Sequence, residues 1–277
     1  MSEIKLITLD LDGTLLNSHK ELTPGNFAAL QRAVDCGIEI VPTTGRFFGA
    51  MPEVIRQLPF LHYAITINGA QVYDVRRDAA ISKAELSVET AVSIMEFLDT
   101  LPVIYDCFIG NWGWMTRSLQ EKSAEYAPDE HFLKMLLELR RPVDELKAYV
   151  RERGEGVQKV QFFTKDLSIR ARMLHEIPER FPETVASSAV VNNLEINHCD
   201  AHKGVAIQRL AEHLGIGMES VLAFGDGLND LTMLRAAGIG VCMENGVPEA
   251  KEAADAVTAS CDEDGVAKAI LKYVFGE

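Results

Sequence analysis

Long apolar runs are absent from this 277-residue chain, and none approaches the ~18 consecutive apolar residues that a membrane-spanning helix requires. Basic residues are also scarce, because 27 lysines and arginines stand against 41 aspartates and glutamates and leave a formal net charge of −14. Nucleic acids and anionic membranes bind proteins that neutralise their phosphates, so we expect this chain to bind neither. A phosphate-bearing small molecule would have to be held locally, by a metal ion or a few well-placed cations.

Cysteine is sparse as well. The five cysteines are odd in number and scattered, and no two form a Cys-x-x-Cys pair. This pattern predicts reduced thiols rather than a disulfide framework. The first residues also lack the basic and apolar segments of a signal peptide, so we expect a cytoplasmic protein. The sequence makes no prediction about the oligomeric state.

The beginning and end of the chain alternate strands with helices. Ile4–Leu9 is a β-rich apolar run of the kind found in buried parallel strands, and Ile38–Val41 and Tyr63–Ile67 are further strand candidates. The same alternation returns after Lys203 and includes the strand candidate Val221–Phe224. Because single helices between short strands give parallel crossovers, we predict an α/β fold with a doubly wound, Rossmann-like parallel sheet.

The middle of the chain has a different pattern. Val103–Ile109 and Trp112–Thr116 are strand candidates joined by Gly110-Asn111, a pair typical of tight hairpin turns. The strands and helices that follow do not alternate strictly, which is typical of an α+β domain with antiparallel strands. We therefore predict a discontinuous core domain formed by residues 1–82 and 191–277, interrupted by an inserted α+β domain over residues 83–190.

An acidic pair follows the first predicted strand, in Asp10-Leu11-Asp12-Gly13-Thr14. Residues two apart on an extended chain point the same way, so Asp10 and Asp12 can face one pocket. Ligands of open α/β sheets bind at the carboxyl ends of the strands, which is where this pair falls. Two close carboxylates repel each other, and a hard cation such as Mg²⁺ would relieve that repulsion through oxygen ligands. Taken alone, the segment is equally compatible with an ordinary turn.

Three further polar segments occupy comparable positions. Asp226 and Asp230 lie in a glycine-rich loop after the strand Val221–Phe224 and add two carboxylates. Thr43-Thr44-Gly45-Arg46 ends the second strand and offers a hydroxyl, amides and a guanidinium to an oxyanion. Lys203 opens a helix, where its charge opposes the helix dipole and therefore favours a functional role. Each segment alone fits a loop or a cap, but together they predict one site at one edge of the sheet.

In this order the four segments resemble the four motifs of the haloacid dehalogenase-like superfamily of phosphohydrolases. The insertion between the second and third motifs, preceded by Asn68-Gly69-Ala70, is similar to the Cof-type branch, whose cap domain is of the α+β kind called C2B. The resemblance implies a Mg²⁺-dependent phosphatase that acts on a small phosphorylated metabolite, either a sugar phosphate or a phosphorylated cofactor.

The resemblance also implies roles for the acidic residues. Asp10 would attack phosphorus and become an aspartyl-phosphate, and Asp12 would be the general acid and base. Mg²⁺ would be held by Asp10, by Asp226 and by the backbone carbonyl of Asp12, with Asp230 either a further ligand or a support behind the ligands.

The remaining implied roles concern the substrate. The phosphoryl oxygens would be held by hydroxyl, amide and ammonium donors, namely Thr44, Gly45, Lys203 and Asn229. Arg46 and Asn68 are candidates for substrate binding.

Two alternatives stay open at this point. A phosphotransferase or phosphomutase would use the same aspartyl-phosphate chemistry. A non-catalytic, phospho-accepting signalling module would also combine an acid cluster with threonine and lysine, although such receiver domains are much shorter and lack a large insert. A turnover assay with a phosphate ester separates an enzyme from a signalling module.

Overall fold

The structure, a computed structural model, describes residues 3–188 and 190–277, which divide into two units. The first unit consists of the residues up to Lys83 together with Asp200–Glu277, and the second consists of Ala84–Cys199. Within the described ranges, no helix combines the length and apolar character needed to cross a bilayer.

The strands and helices are numbered in chain order. The strands of the described residues are β1 (Leu6–Leu9), β2 (Glu39–Pro42), β3 (Tyr63–Thr66), β4 (Gln71–Asp74), β5 (Ala79–Lys83), β6 (Val103–Ile109), β7 (Trp112–Thr116), β8 (Arg140–Val143), β9 (Lys159–Thr164), β10 (Thr184–Ser187), β11 (Asn193–His198), β12 (Val221–Gly225), β13 (Ile239–Cys242) and β14 (Ala256–Val257). The α-helices of the same ranges are α1 (Pro24–Asp35), α2 (Glu53–Arg56), α3 (Val88–Leu98), α4 (Arg117–Gln120), α5 (Glu130–Leu139), α6 (Leu146–Arg153), α7 (Leu167–Arg180), α8 (Lys203–Leu214), α9 (Leu231–Ala236), α10 (Pro248–Ala253) and α11 (Gly265–Ile270).

A parallel five-stranded sheet forms the centre of the first unit, in the order β14-β13-β12-β1-β2. Ile7 and Leu9 of β1 pack on one face with α1 and α11, and Leu6 packs on the other face with α8 and α9. All four residues of β1 are buried, as an apolar strand covered on both faces should be. This arrangement confirms the predicted doubly wound α/β core.

The register of β1 aligns the ends of three strands. Leu9 pairs with Phe224 of β12 on one side and with Pro42 of β2 on the other. The residues that follow these three strands therefore meet at one edge of the sheet, which is the edge where ligands of such sheets bind.

The third predicted strand forms, but in a different sheet. β3 pairs antiparallel with β4, β5 completes this three-stranded sheet, and a single parallel bridge joins Thr43 to Ile65. The turn after β3, where Ile67, Asn68 and Gly69 have φ values of 52°, 56° and 99°, reverses the chain so that β4 pairs antiparallel with β3. Ile67 is fully buried and β-branched, and such residues rarely adopt a positive φ.

The second unit contains a six-stranded sheet in the order β10-β11-β9-β6-β7-β8, antiparallel except for the pair β7 and β8. The predicted hairpin of β6 and β7 turns at Gly110 and Asn111, whose φ values of 59° and 65° are those of a type I′ turn. One face of the sheet, which includes Cys107, Phe162 and Ile196, packs against α3, α6 and α7.

The boundary between the units differs from the sequence-based division. The sequence places residues 191–277 with the core, but β11 pairs with β9 and β10 and therefore lies in the second unit, which extends to Cys199. The apolar residues Leu194 and Ile196 indicate a strand without indicating its sheet, because strand pairing depends on distant partners. At the other boundary, Lys83 ends β5 and stays in the first unit.

Candidate active site

Carboxylates gather where β1 and β12 end. Asp10 follows β1, its backbone N–H donates to the Phe224 carbonyl at 3.0 Å, and Asp226 follows β12. Carboxylate oxygens of Asp10, Asp226 and Asp230 lie within 4.8 Å of one another. Asp10 is 7% exposed and Asp230 is fully buried. The structure thus brings together three of the acids that the sequence placed at two strand ends.

The buried ammonium of Lys203 contacts this cluster of acids. Lys203 is the first residue of α8, and its Nζ donates to Asp10 Oδ1 and to Asp230 Oδ1, both at 2.6 Å. Burial raises the pKa of Asp10 although the charge of Lys203 opposes the shift, and burial likewise raises the pKa of Asp226. Burial disfavours the ammonium of Lys203, but the charges of Asp10 and Asp230 outweigh this and raise its pKa. Three carboxylates therefore share one positive charge.

Asp230 uses both of its oxygens inside the protein. Its Oδ1 accepts from Lys203, and its Oδ2 accepts from the backbone N–H groups of Asp226 and Gly227 at 2.9 and 2.8 Å. These bonds hold the loop after β12 in shape. Of the two roles expected for Asp230, the geometry favours the support behind the ligands.

Asp10 and Asp226 are better suited to contact a metal ion. In the contacts described, each accepts through one oxygen, Asp10 from Lys203 and Asp226 from the Thr14 hydroxyl at 2.7 Å. The cluster offers hard oxygen ligands, and burial raises the pKa of Asp10, with smaller contributions in the same direction from the negative charges of Asp230 and Asp226. This donor set fits a divalent cation that prefers oxygen.

Asp12 is held by two cations. Arg46 donates from Nε to Asp12 Oδ2 at 2.8 Å and from Nη2 to Oδ1 at 2.9 Å, while the Nζ of Lys20 lies 3.0 Å from Oδ1. Burial works to raise the pKa of Asp12, but hydrogen bonds and charges from Arg46 and Lys20 outweigh burial and lower the pKa. Asp12 is therefore a carboxylate here, the form that can take a proton from water. Nothing in the sequence marked Lys20, a single lysine in a polar segment.

The candidate phosphate and substrate groups form a second cluster. Asn68 donates its backbone N–H to the Thr44 carbonyl at 3.0 Å, and its Oδ1 accepts from Asn229 Nδ2 at 3.1 Å. A Cβ on Gly45 would lie 2.9 Å from Asn68 Oδ1, so glycine permits this close approach. The structure thus brings Thr44, Gly45, Asn68 and Asn229 together.

Sequence reasoning assigned no role to Thr14 or Asn245. Thr14 belongs to the first motif, is fully buried and donates its hydroxyl to Asp226. Asn245 follows β13, donates to the Gly13 carbonyl and accepts from the Cys261 N–H, both at 2.8 Å. Gly13 has a φ of +84°, and a Cβ there would lie 2.6 Å from Asp226. The strand-end rule that identified Asp226 could also have identified Asn245.

Comparison with known proteins supplies the family. Residues 7–270 match the haloacid dehalogenase-like hydrolases. The phosphatase YwpJ of Bacillus subtilis (strain 168) is 33% identical over 281 aligned positions, which cover 95% of this chain and 98% of YwpJ. The 5-amino-6-(5-phospho-D-ribitylamino)uracil phosphatase YcsE of the same organism is 29% identical over 272 positions, with coverages of 98% and 96%.

A solved structure has the same fold over nearly the whole chain. A haloacid dehalogenase-like hydrolase from Bacteroides thetaiotaomicron matches with a TM-score of 0.83 and 27% identity, covering 98% of this chain and 99% of that one. Both sequence relatives are named as phosphatases, which favours an enzyme over a signalling module. The resemblance inferred from the four motifs is confirmed: the chain belongs to the haloacid dehalogenase-like hydrolases, in their Cof-type group, and is a phosphoric monoester hydrolase.

Proposed function

We propose that this hydrolase removes the phosphoryl group from a small phosphorylated metabolite, a sugar phosphate or a phosphorylated cofactor, through an aspartyl-phosphate on Asp10 and with Mg²⁺. The observation that carries the proposal is a cluster of three carboxylates, Asp10, Asp226 and Asp230, of which two accept from the one buried ammonium of Lys203. The name of the relative YcsE, a phosphatase of a phosphorylated ribityl compound, supports a sugar-like substrate.

The metal would be held by Asp10, Asp226 and the backbone carbonyl of Asp12. When bound, Mg²⁺ supplies positive charge between the anionic nucleophile and the anionic phosphoryl group. Asp230 would keep the loop of Asp226 in place through its two backbone hydrogen bonds. The fit rests on the uncompensated negative charge of the cluster, since Lys203 balances only one carboxylate.

The chemistry would proceed in two displacements on phosphorus. A carboxylate oxygen of Asp10 forms a bond to phosphorus while the ester P–O bond breaks and its electron pair leaves with the alcohol oxygen. Asp12, after taking up a proton, gives it to that oxygen. In the second step Asp12 removes a proton from water, whose oxygen attacks phosphorus and returns Asp10 as a carboxylate. Lys203 holds Asp10 in position in both steps.

The phosphoryl oxygens would contact the Thr44 hydroxyl, the Gly45 amide, Lys203 and Asn229. Such fixed donors stabilise a transferring phosphoryl group without reorganising during the reaction. Asn68, which accepts from Asn229, is proposed to border the substrate. We also propose that the second unit is the cap domain of this enzyme.

The test has two parts. Phosphate release is measured with Mg²⁺ over a panel of sugar phosphates and phosphorylated cofactors. A ³²P-labelled substrate is then used in a single turnover, and the acid-quenched protein is examined for label that hydroxylamine releases, as expected of an acyl phosphate. Asp10→Asn should abolish this label, and Asp35→Asn, at an exposed acid of α1, should keep it. Rapid phosphate release without any labelled protein in Asp12→Asn, where hydrolysis of the intermediate should be slow, would contradict the aspartyl-phosphate.

A further inference from the structure

All three guanidinium nitrogens of Arg46 donate hydrogen bonds within the chain. Two of its guanidinium nitrogens, Nε and Nη2, donate to the two oxygens of Asp12, and the third, Nη1, donates to the Ala50 carbonyl at 3.2 Å. A bidentate contact of this kind fixes the plane of a carboxylate as well as its position. Arg46 had been expected to contact the substrate, yet its observed partner is the proposed acid and base.

Lys20 approaches the same carboxylate from another segment. It lies between Asn17 and Leu22, where the Lys20 N–H donates to the Asn17 carbonyl at 2.9 Å and isolated bridges join Asp12 to Leu16 and Leu16 to Leu22. Lys20 itself has a φ of 64°. Its side chain is 58% exposed against 31% for Arg46, so its ion pair is the weaker of the two.

We propose that Arg46 is a positioning residue that fixes the carboxylate of Asp12 for proton transfer, with Lys20 as a weaker second support. The inference rests on the proposed acid and base role of Asp12. Proton transfer requires the donor within hydrogen-bond reach of the leaving oxygen, and small misplacements of a catalytic group are costly in rate. Arg46 then acts on the reaction only through Asp12.

A double-mutant cycle tests this directly. Arg46→Gln, Asp12→Asn and the double variant are compared on an alkyl phosphate and on p-nitrophenyl phosphate with Mg²⁺. Arg46→Gln should lower kcat for the alkyl ester about 10–100-fold, part of the ~10²–10⁴-fold that general acid–base catalysis provides, and should change KM less than about threefold. In the Asp12→Asn background it should cause almost no further loss, because residues that act as a unit are not additive.

The loss of activity should depend on the leaving group of the substrate, and a merely structural role of Arg46 would give no such dependence. With p-nitrophenyl phosphate, whose phenolate leaves without protonation, the first step of Arg46→Gln should lose less than with the alkyl ester. Arg46→Lys keeps the charge without the bidentate contact, and its kcat for the alkyl ester should lie between those of wild type and Arg46→Gln. Lys20→Met should lower kcat only a few-fold.

Two basic residues away from Asp12 provide matched control variants. Arg56→Gln removes a guanidinium that donates to the Met51 carbonyl, and Lys268→Met removes an exposed lysine, so both should leave kcat unchanged.

A raised KM with unchanged kcat for both substrates in Arg46→Gln, or a full additional loss when Arg46→Gln is added to Asp12→Asn, would overturn the positioning role and make Arg46 a substrate contact. Unimpaired alkyl-ester turnover in Asp12→Asn alone would overturn the acid and base role as well. If Arg46→Gln fails to fold by thermal unfolding, the same cycle is completed with Arg46→Lys.

Discussion

Both units of this enzyme bury charged side chains, but they balance them differently. In the second unit, Arg140 donates to Asp106 at 2.9 Å and Lys159 donates to Glu195 at 2.6 Å, so each charge has an opposite partner. In the first unit, the single ammonium of Lys203 faces Asp10 and Asp230 and has Asp226 nearby. Buried pairs of matched charge are compatible with a purely structural role, whereas an unmatched cluster of buried carboxylates favours the binding of a cation or a proton.

The two sets also differ in their place on the strands. Asp106 lies within β6 and also accepts from Gln161 of β9 at 2.9 Å, while the acids of the first unit follow the strand ends. Arg140 reaches Asp106 by crossing Gly113, where a Cβ would lie 2.3 Å from the arginine Cδ. Burial of charge alone therefore does not identify an active site, and charge balance and strand position separate the two cases.

The largest difference between the two clusters is expected on loss of Asp10, the proposed nucleophile. Asp10→Asn should lower kcat by about 10⁴-fold or more, as removal of a covalent nucleophile does, because a carboxamide cannot form the phosphoryl bond. Phosphate release with Mg²⁺ measures it. Asp106→Asn is the matched change in the second unit, and its folded fraction should keep turnover. An Asp10→Asn enzyme with a tenth of wild-type activity would remove the distinction between the two clusters.

Removal of the metal ion is expected to have the next largest effect. A chelator should stop turnover, and Ca²⁺ should not restore it fully, because Ca²⁺ prefers longer bonds and a higher coordination number than Mg²⁺. Mg²⁺ at about 100 times its Kd should stabilise the folded enzyme by ~2.7 kcal/mol, seen as a rise in Tm without any substrate. The rise should vanish in Asp226→Asn and persist in Asp106→Asn. Equal rises in both variants would place the ion elsewhere.

Asp12, the proposed acid and base, is expected to give a smaller and more selective effect. Asp12→Asn should reduce turnover of an alkyl phosphate by ~10²–10⁴-fold, because the leaving alcohol is no longer protonated. With an aryl phosphate the first step should survive, giving a burst of phenol followed by slow hydrolysis of the intermediate. Stopped-flow absorbance measures the burst. Equal losses on both substrates without a burst would leave Asp12 only a structural or metal-binding role.

The balanced pairs should affect stability rather than chemistry. Arg140→Met should lower the free energy of unfolding by ~3–5 kcal/mol, because Asp106 would remain buried without a partner. The double variant with Asp106→Leu should recover most of this loss, and the Tm rise with Mg²⁺ should be unchanged in both. Denaturant unfolding measures the energies. A loss in Arg140→Met that the double variant does not recover would show that the pair is more than matched charge.

The site residues that could be predicted are those that directly follow a strand recognisable from the local sequence. Asp10, Thr44 and Asp226 each follow an apolar run that could be identified as a strand, and parallel strands end at a common edge. The contact between Arg46 and Asp12 depends on how a side chain from one strand end turns toward another, which no local pattern records. The same limit explains β11, whose apolar residues indicate a strand but not the sheet that accepts it.

The order of the strands has a consequence for how the chain acquires activity. Leu6 of β1 pairs with Val221 of β12, so the two strands that carry Asp10 and Asp226 come from opposite parts of the chain. Pairings so distant in sequence form slowly, because a long loop must close first. The second unit is one continuous segment, Ala84–Cys199, and is fully synthesised before β12 leaves the ribosome. A nascent chain that stops between residues 200 and 220 therefore holds every residue of the second unit together with Asp10 and Asp12, and lacks Asp226 and Asp230 of the proposed metal site.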